Sequence, residues 1–224
     1  MKSNPKNINV LIACEESQHL CCAFRERGFN AWSADLQLVR SFKHPEWHIP
    51  GDVSPLLAGK TSFMSQLGEM HYIRKWHLII SHPPCTYLCK VSSVHMVKDG
   101  QVDSERYDKM LEARQFFLKC LQADAPFVAV ENPQPMARAE LPPADCYVQP
   151  FWYGEKYSKK TLFWLRNLPP LMPEKINPDF KEFVKASRGK FRSRTFNGVA
   201  QAIAQQWGDY VLTQMNNNPK ETKK

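Results

Sequence analysis

No stretch of this chain approaches the ~20 consecutive apolar residues that a membrane span requires. The first residues, Met1-Lys2-Ser3-Asn4-Pro5-Lys6-Asn7, lack the apolar core of a signal peptide. Neither a membrane role nor export is expected, and the expected location is the cytoplasm. No Cys-x-x-Cys occurs, and the seven cysteines are odd in number and keep no framework spacing. That pattern points to reduced thiols rather than a disulfide scaffold. No Cys/His pairs repeat at ligand spacing, so no zinc site is expected. The loop GxGxxG is absent as well, which disfavours a ligand gripped by its pyrophosphate.

What is present suits one α/β domain over residues 1–215, with a basic disordered tail at 216–224. The 224 residues are 43% hydrophobic, enough for a sizeable core. The formal charge is +8 and the pI about 9.1, which favours a polyanionic partner such as nucleic acid or a nucleotide. Ile8 to Ala13 reads as a strand. Cys14-Glu15-Glu16-Ser17 reads as a turn with Ser17 as helix N-cap, and helical spacing then runs to Gly28. Asn30 to Asp35 reads as the next strand. This β-α-β unit predicts parallel strands. Glu15 and Asp35 then stand at two strand ends, where an acid can bond ribose hydroxyls or an amine, although each is equally readable as a solvated turn residue. Gly51-Asp52-Val53 adds a third acid in a turn, and Phe63 to Leu67 reads as a short helix.

Further along, Leu78-Ile79-Ile80 is a short buried strand stopped by Pro83 and Pro84, which have fixed φ and no N–H. Cys85 follows at once, at the strand end where open α/β sheets bind ligands. A thiolate there can be a nucleophile; the stretch alone is also readable as a proline turn with an incidental cysteine. The residues after it lack apolar periodicity and read as a flap. Ser104 to Leu121 is strongly helical. Phe127 to Val130 is another buried strand and ends at Glu131-Asn132-Pro133, so a thiol and a carboxylate share a pocket if the two strands are neighbours. Residues 149–160 interleave aromatic and basic side chains, which suits stacking and phosphate contact or a plain surface turn. Thr161 to Leu165 is a strand. Lys185, Arg188, Lys190, Arg192 and Arg194 form a basic cluster, and Phe196 to Gln214 a closing helix.

Taken together, Pro83-Pro84-Cys85 followed by Glu131-Asn132-Pro133 at the next strand end resembles the cytosine-C5 DNA methyltransferases. These are class I S-adenosylmethionine-dependent enzymes. The pattern is similar, more closely, to small phage and prophage methyltransferase-like proteins without a target-recognition domain. The resemblance implies a Rossmann-like α/β fold with a mostly parallel seven-stranded sheet flanked by helices. It implies Cys85 as the nucleophile at cytosine C6, Glu131 as the group at N3 and the exocyclic amine, and Lys159 or Lys160 in place of the family's arginines. It assigns Asp35 to the cofactor's ribose and Asp52 to its adenine amine. Cys14, Glu15 and Ser17 of the first loop, Pro83, and Asn197 beside Gly198 complete the implied S-adenosylmethionine site. The implied function is methylation of DNA with relaxed specificity, since the segment between Lys159 and Asn197 is too short for a recognition domain. A free cytosine nucleotide as substrate, or an inactive module binding nucleic acid or a host or phage protein, are the alternatives.

Overall fold

The computed structural model describes residues 4–39, 43–98, 100–182 and 195–217. Among them, seven strands form one central sheet: β1 (Asn9–Ala13), β2 (Asn30–Asp35), β3 (His48–Pro50), β4 (Leu78–Ser81), β5 (Phe127–Asn132), β6 (Cys146–Val148) and β7 (Thr161–Arg166). Their order across the sheet is β3-β2-β1-β4-β5-β7-β6. The pairs from β3 through β5 are all parallel. Strand β7 runs antiparallel to both β5 and β6. The chain is therefore an α/β protein with a Rossmann-like, mostly parallel sheet, in which one reversed strand lies between the fifth and sixth.

The interior strands are buried on both faces, as parallel sheets require; all five residues of β1 are buried. Side chains alternate between two cores. Val10, Ile12, Ile80 and Phe163 face helices α1 (His19–Glu26) and α3 (Asn197–Asn217). Leu11, Ile79, Val128 and Trp164 face helix α2 (Ser104–Leu121). The expected core face of α3, Val199, Ala200, Ile203, Ala204, Trp207 and Val211, is buried throughout. Helices α1 and α3 approach closely at Gly208, where an added Cβ would lie 2.8 Å from the Phe29 ring. No helix of the described residues is long and apolar enough to cross a membrane.

Four expectations are corrected. Ser17 does not cap α1: the N-cap is Gln18, in the left-handed region at φ 56° and without a side-chain cap bond. The helix instead takes its cap from Glu15, as set out below. Phe63 to Leu67 is not helical. Ser62–Met64 and Met70–Tyr72 form an antiparallel hairpin, because Phe63 must turn inward against Trp32 and Trp76, with ring centroids 4.9 and 5.5 Å away. The flap after Cys85 carries regular structure, a 3-10 helix at Lys90–His95 and a small hairpin pairing Val97–Lys98 with Gln101–Val102. Helix α3 runs to Asn217, two residues into the segment read as tail. Residues 218–224 and the basic cluster from Lys185 to Arg194 lie outside the described residues.

Candidate active site

Strands β2 and β4 flank β1 on opposite sides, so the sheet's switch point lies at the carboxyl ends of β1 and β4, where α/β sheets bind ligands. Two groups of side chains collect along that edge. One stands at the ends of β4 and β5, the other at the ends of β1, β2 and β3.

The register pairs Ser81 with Val130 and thereby sets His82 beside Glu131, the next residue of each strand. His82 still donates its backbone N–H to Ala13 (2.9 Å), after which the prolines end the ladder. Asn132, itself buried, donates its side-chain N–H to the Pro83 carbonyl at 2.8 Å. Two backbone bonds of 2.8 Å, Lys90 N–H to Gln134 and Met136 N–H to Leu88, tie the Pro-Pro-Cys loop to the Glu-Asn-Pro loop. Between these ties the chain makes one tight turn, with Leu88 and Cys89 N–H both donating to the Cys85 carbonyl at 3.0 Å. The two strands are neighbours and their ends are held together, while the cavity that Glu131 lines does not include Cys85.

His82 Nδ1 lies 3.0 Å from Glu131 Oε2, with the two side chains 13% and 18% exposed. Burial disfavours either charge, but each supplies what the other lacks. Burial and then the His82 bond act in opposite directions on Glu131, and the bond wins, holding its carboxyl below the usual value. Burial likewise opposes the imidazolium, and the Glu131 bond outweighs it, so His82 titrates above its usual value. Lys159 faces Glu131 and Cys85; its ammonium is lowered by burial against the pull of those two groups. His82, Glu131 and Lys159 line one small cavity with Thr161, Phe196 and Val199. Lys160 turns away and lies over the Tyr147 ring at 4.6 Å, so Lys159 is the lysine of the site. The neighbouring Cys89 raises the Cys85 thiol and is itself lowered, with burial and Glu131 adding to the rise at Cys85.

At the other group, the first loop turns without glycine. Cys14 adopts φ 61°, the left-handed conformation that a glycine would take without the ~1–2 kcal/mol cost of a side chain. Glu15, 4% exposed, accepts from the N–H groups of Leu20 (2.7 Å) and Cys21 (3.2 Å). It caps α1 with both oxygens and is a structural anchor rather than a ligand contact. Burial raises its carboxyl, partly offset by His82 and these two N–H groups. Gln18 is buried and bonds Ser33 and His44. Asp35 Oδ1 accepts from Gln37 N–H at 2.8 Å and Asp52 Oδ1 from Ser54 N–H at 2.9 Å. Burial first, then Cys120 and these two acids, push up the Cys14 thiol, so Asp35 and Asp52 both address Cys14. Two carboxylates at the ends of neighbouring strands suit a ligand offering hydroxyl and amine donors.

Two other expected contacts take structural places. Pro83 is buried and its carbonyl is held by Asn132, which makes it an anchor of the loop. Asn197 is the exposed first residue of α3, and the neighbouring Gly198 N–H is anchored on Glu155 at 2.8 Å. The residues that sequence reasoning missed are His82, Asn132 and Cys89. The first two flank residues already singled out, yet nothing local marks them, because their partners lie 49 positions away. Cys89 is one turn from Cys85 at i+4, a spacing that could have raised it.

No known family model matches this chain, and no curated protein matches it.

Proposed function

We propose that this chain is an S-adenosylmethionine-dependent methyltransferase that acts on C5 of cytosine in DNA, with Cys85 as nucleophile. One observation carries the reading: Cys85 and Glu131 leave neighbouring parallel strands at the switch edge of the sheet, on loops bonded to one another. The seven-stranded, mostly parallel sheet is the architecture this activity calls for.

Cytosine C5 becomes nucleophilic only after a group adds at C6. Cys85 forms that bond as thiolate, its proton passing to the neighbouring Cys89, whose thiol is lowered, and the displaced ring electrons reach N3, which takes a proton from the His82 imidazolium by way of the Glu131 carboxylate. Glu131, held ionised by His82, accepts from N3–H and from the exocyclic amine as the ring becomes basic. It stabilises the charge where it develops. Lys159 offsets negative charge on the sulfur or the ring oxygen, as a point charge rather than the fork an arginine provides. Loss of the C5 proton then lets the Cys85 bond break and restores the ring. Asp35 and Asp52 would hold the cofactor through its ribose hydroxyls and adenine amine, with Cys14 between them. When bound, S-adenosylmethionine supplies an electrophilic methyl group. The +8 charge suits a DNA backbone. A duplex substrate must have its base turned out of the stack to reach Cys85.

One observation favours a second reading, a non-catalytic binding module. Glu15 occupies the Leu20 and Cys21 N–H groups at the start of α1, so those two donors are not open to an anionic group of a ligand. Incubation with methyl-labelled S-adenosylmethionine and, in parallel, duplex DNA, single-stranded DNA and dCMP separates these. Label in DNA that Cys85→Ser abolishes supports the proposal. Label in dCMP alone moves the substrate to the free nucleotide. Absence of both label and cofactor binding by calorimetry leaves the binding module.

A further inference from the structure

Cys85 does not stand alone. The 85–89 turn places Cys89 one turn after Cys85, with its N–H on the Cys85 carbonyl at 3.0 Å, and the two thiols are close enough to shift each other's titration. Cys89 Sγ also lies 3.5 Å from Ser92 Oγ. Both cysteines are half-buried, and Pro84 and Thr86 between the strand end and the turn are exposed, so a small oxidant reaches the pair. The turn is tied at both ends, through Pro83 to Asn132 and through Leu88 and Lys90 to the facing loop.

We propose that Cys85 and Cys89 are an oxidative modification site that closes reversibly into a disulfide in the presence of a peroxide. The separation is suitable. Residues at i and i+4 of a helical turn have Cβ atoms ~5–6 Å apart, and a disulfide needs ~3.5–4.5 Å. Rotation of two side chains and a slight tightening of an exposed turn bridge the difference. In the first step the thiolate of the pair attacks hydrogen peroxide. The O–O bond breaks, the sulfur becomes a sulfenic acid, and hydroxide leaves. In the second, the other thiol attacks that sulfur, the S–O bond breaks, and water leaves with the thiol proton. Two sulfurs are oxidised, and one peroxide is reduced to two water molecules.

The surroundings favour this pair over the remaining thiols. Cys89 is the one cysteine of the described residues whose thiol is lowered, and Cys85 beside it, although raised, is the thiol within reach of it. The Cys14, Cys21, Cys22, Cys120 and Cys146 thiols are all raised, in each case first by burial. The bond would form whether or not Cys85 attacks a pyrimidine, so the inference stands apart from the proposed activity. If that activity holds, the disulfide removes its nucleophile until a thiol reductant restores it.

The test uses the full chain. Cleavage after Lys75 and Lys90 releases residues 76–90, which carry Cys85 and Cys89 and no other cysteine. After limiting hydrogen peroxide and alkylation of remaining thiols, this peptide should be unalkylated and lighter by two hydrogens. Dithiothreitol before alkylation should return both sites to the alkylated form. In Cys85→Ser the same treatment should instead leave Cys89 as sulfinic or sulfonic acid that dithiothreitol does not rescue. Cys22→Ser should behave as wild type. Recovery of wild-type peptide 76–90 fully alkylated, overoxidised, or linked to another cysteine would overturn the proposal, and this needs no variant to fold.

Discussion

Removing the Asn132 side chain tests the link between fold and site. Asn132 is 1% exposed, and its one bond to Pro83, at 2.8 Å, joins the end of β5 to the loop that carries Cys85. In Asn132→Ala the bond is lost, at ~1 kcal/mol, and the buried Pro83 carbonyl is left without a donor, at ~1–3 kcal/mol. An opposing effect is present: Asn132 Oδ1 is buried without a partner among the described residues, and deleting it recovers part of that cost. The balance is a loss of about 2 kcal/mol, which for a chain of this size lowers the melting temperature by roughly 4–8 °C. Asn132→Asp should cost more, since it keeps an acceptor, loses the donor, and sets a buried charge against a carbonyl. Urea denaturation gives the stability, and alkylation of Cys85 in the folded protein reports the loop, with a faster rate expected once the tie is cut. If Asn132→Ala loses less than about 0.5 kcal/mol and Cys85 reacts at the wild-type rate, Asn132 does not hold the loop.

The His82–Glu131 pair should shape the pH dependence of stability. The Glu131 contribution is present above its ordinary 4.5 and lost as pH falls through its depressed folded value. The His82 contribution is complete below its ordinary 6.5 and lost as pH rises through its raised folded value. Stability from the pair is therefore greatest between 4.5 and 6.5, and the difference between wild type and His82→Gln, measured by denaturation across pH, should shrink on both sides. At the other end of the site, Glu15→Ala should cost about 2 kcal/mol through loss of the α1 cap. Glu15→Gln, which keeps one acceptor oxygen, should cost less; equal losses by urea denaturation would remove the cap as the explanation.

The elements legible in the sequence are those whose pattern is local. The β1-α1-β2 unit, β4, β5, β7, α2 and α3 each show an apolar run or helical spacing with a clear stop, and their residues fall where that pattern puts them. Strands β3 and β6 have three residues each, too few for alternation to register. They exist because neighbouring strands offer them a ladder. Phe63 misled for a related reason: its conformation follows from the Trp32 and Trp76 rings it must meet, and neither is near in sequence. The site divides in the same way. Cys85, Glu131 and Asp35 stand at or just past the ends of strands that are legible, whereas Asp52 follows β3, which is not. Glu15 was singled out correctly as a strand-end acid, but only the fold shows both of its oxygens spent on α1. His82 became a site residue solely through a register that sets it against Glu131.

The central claim is that Cys85 attacks C6 of a cytosine in DNA while Glu131 holds the ring. Duplex and single-stranded DNA carrying 5-fluorocytosine test it most directly, because fluorine at C5 blocks the proton loss that would release the enzyme. In the presence of S-adenosylmethionine the chain should form a covalent adduct that survives denaturation and maps to Cys85. The adduct should be absent in Cys85→Ala and strongly reduced in Glu131→Gln. An adduct that persists in Cys85→Ala, or no adduct with either DNA when S-adenosylmethionine is bound, would contradict the account.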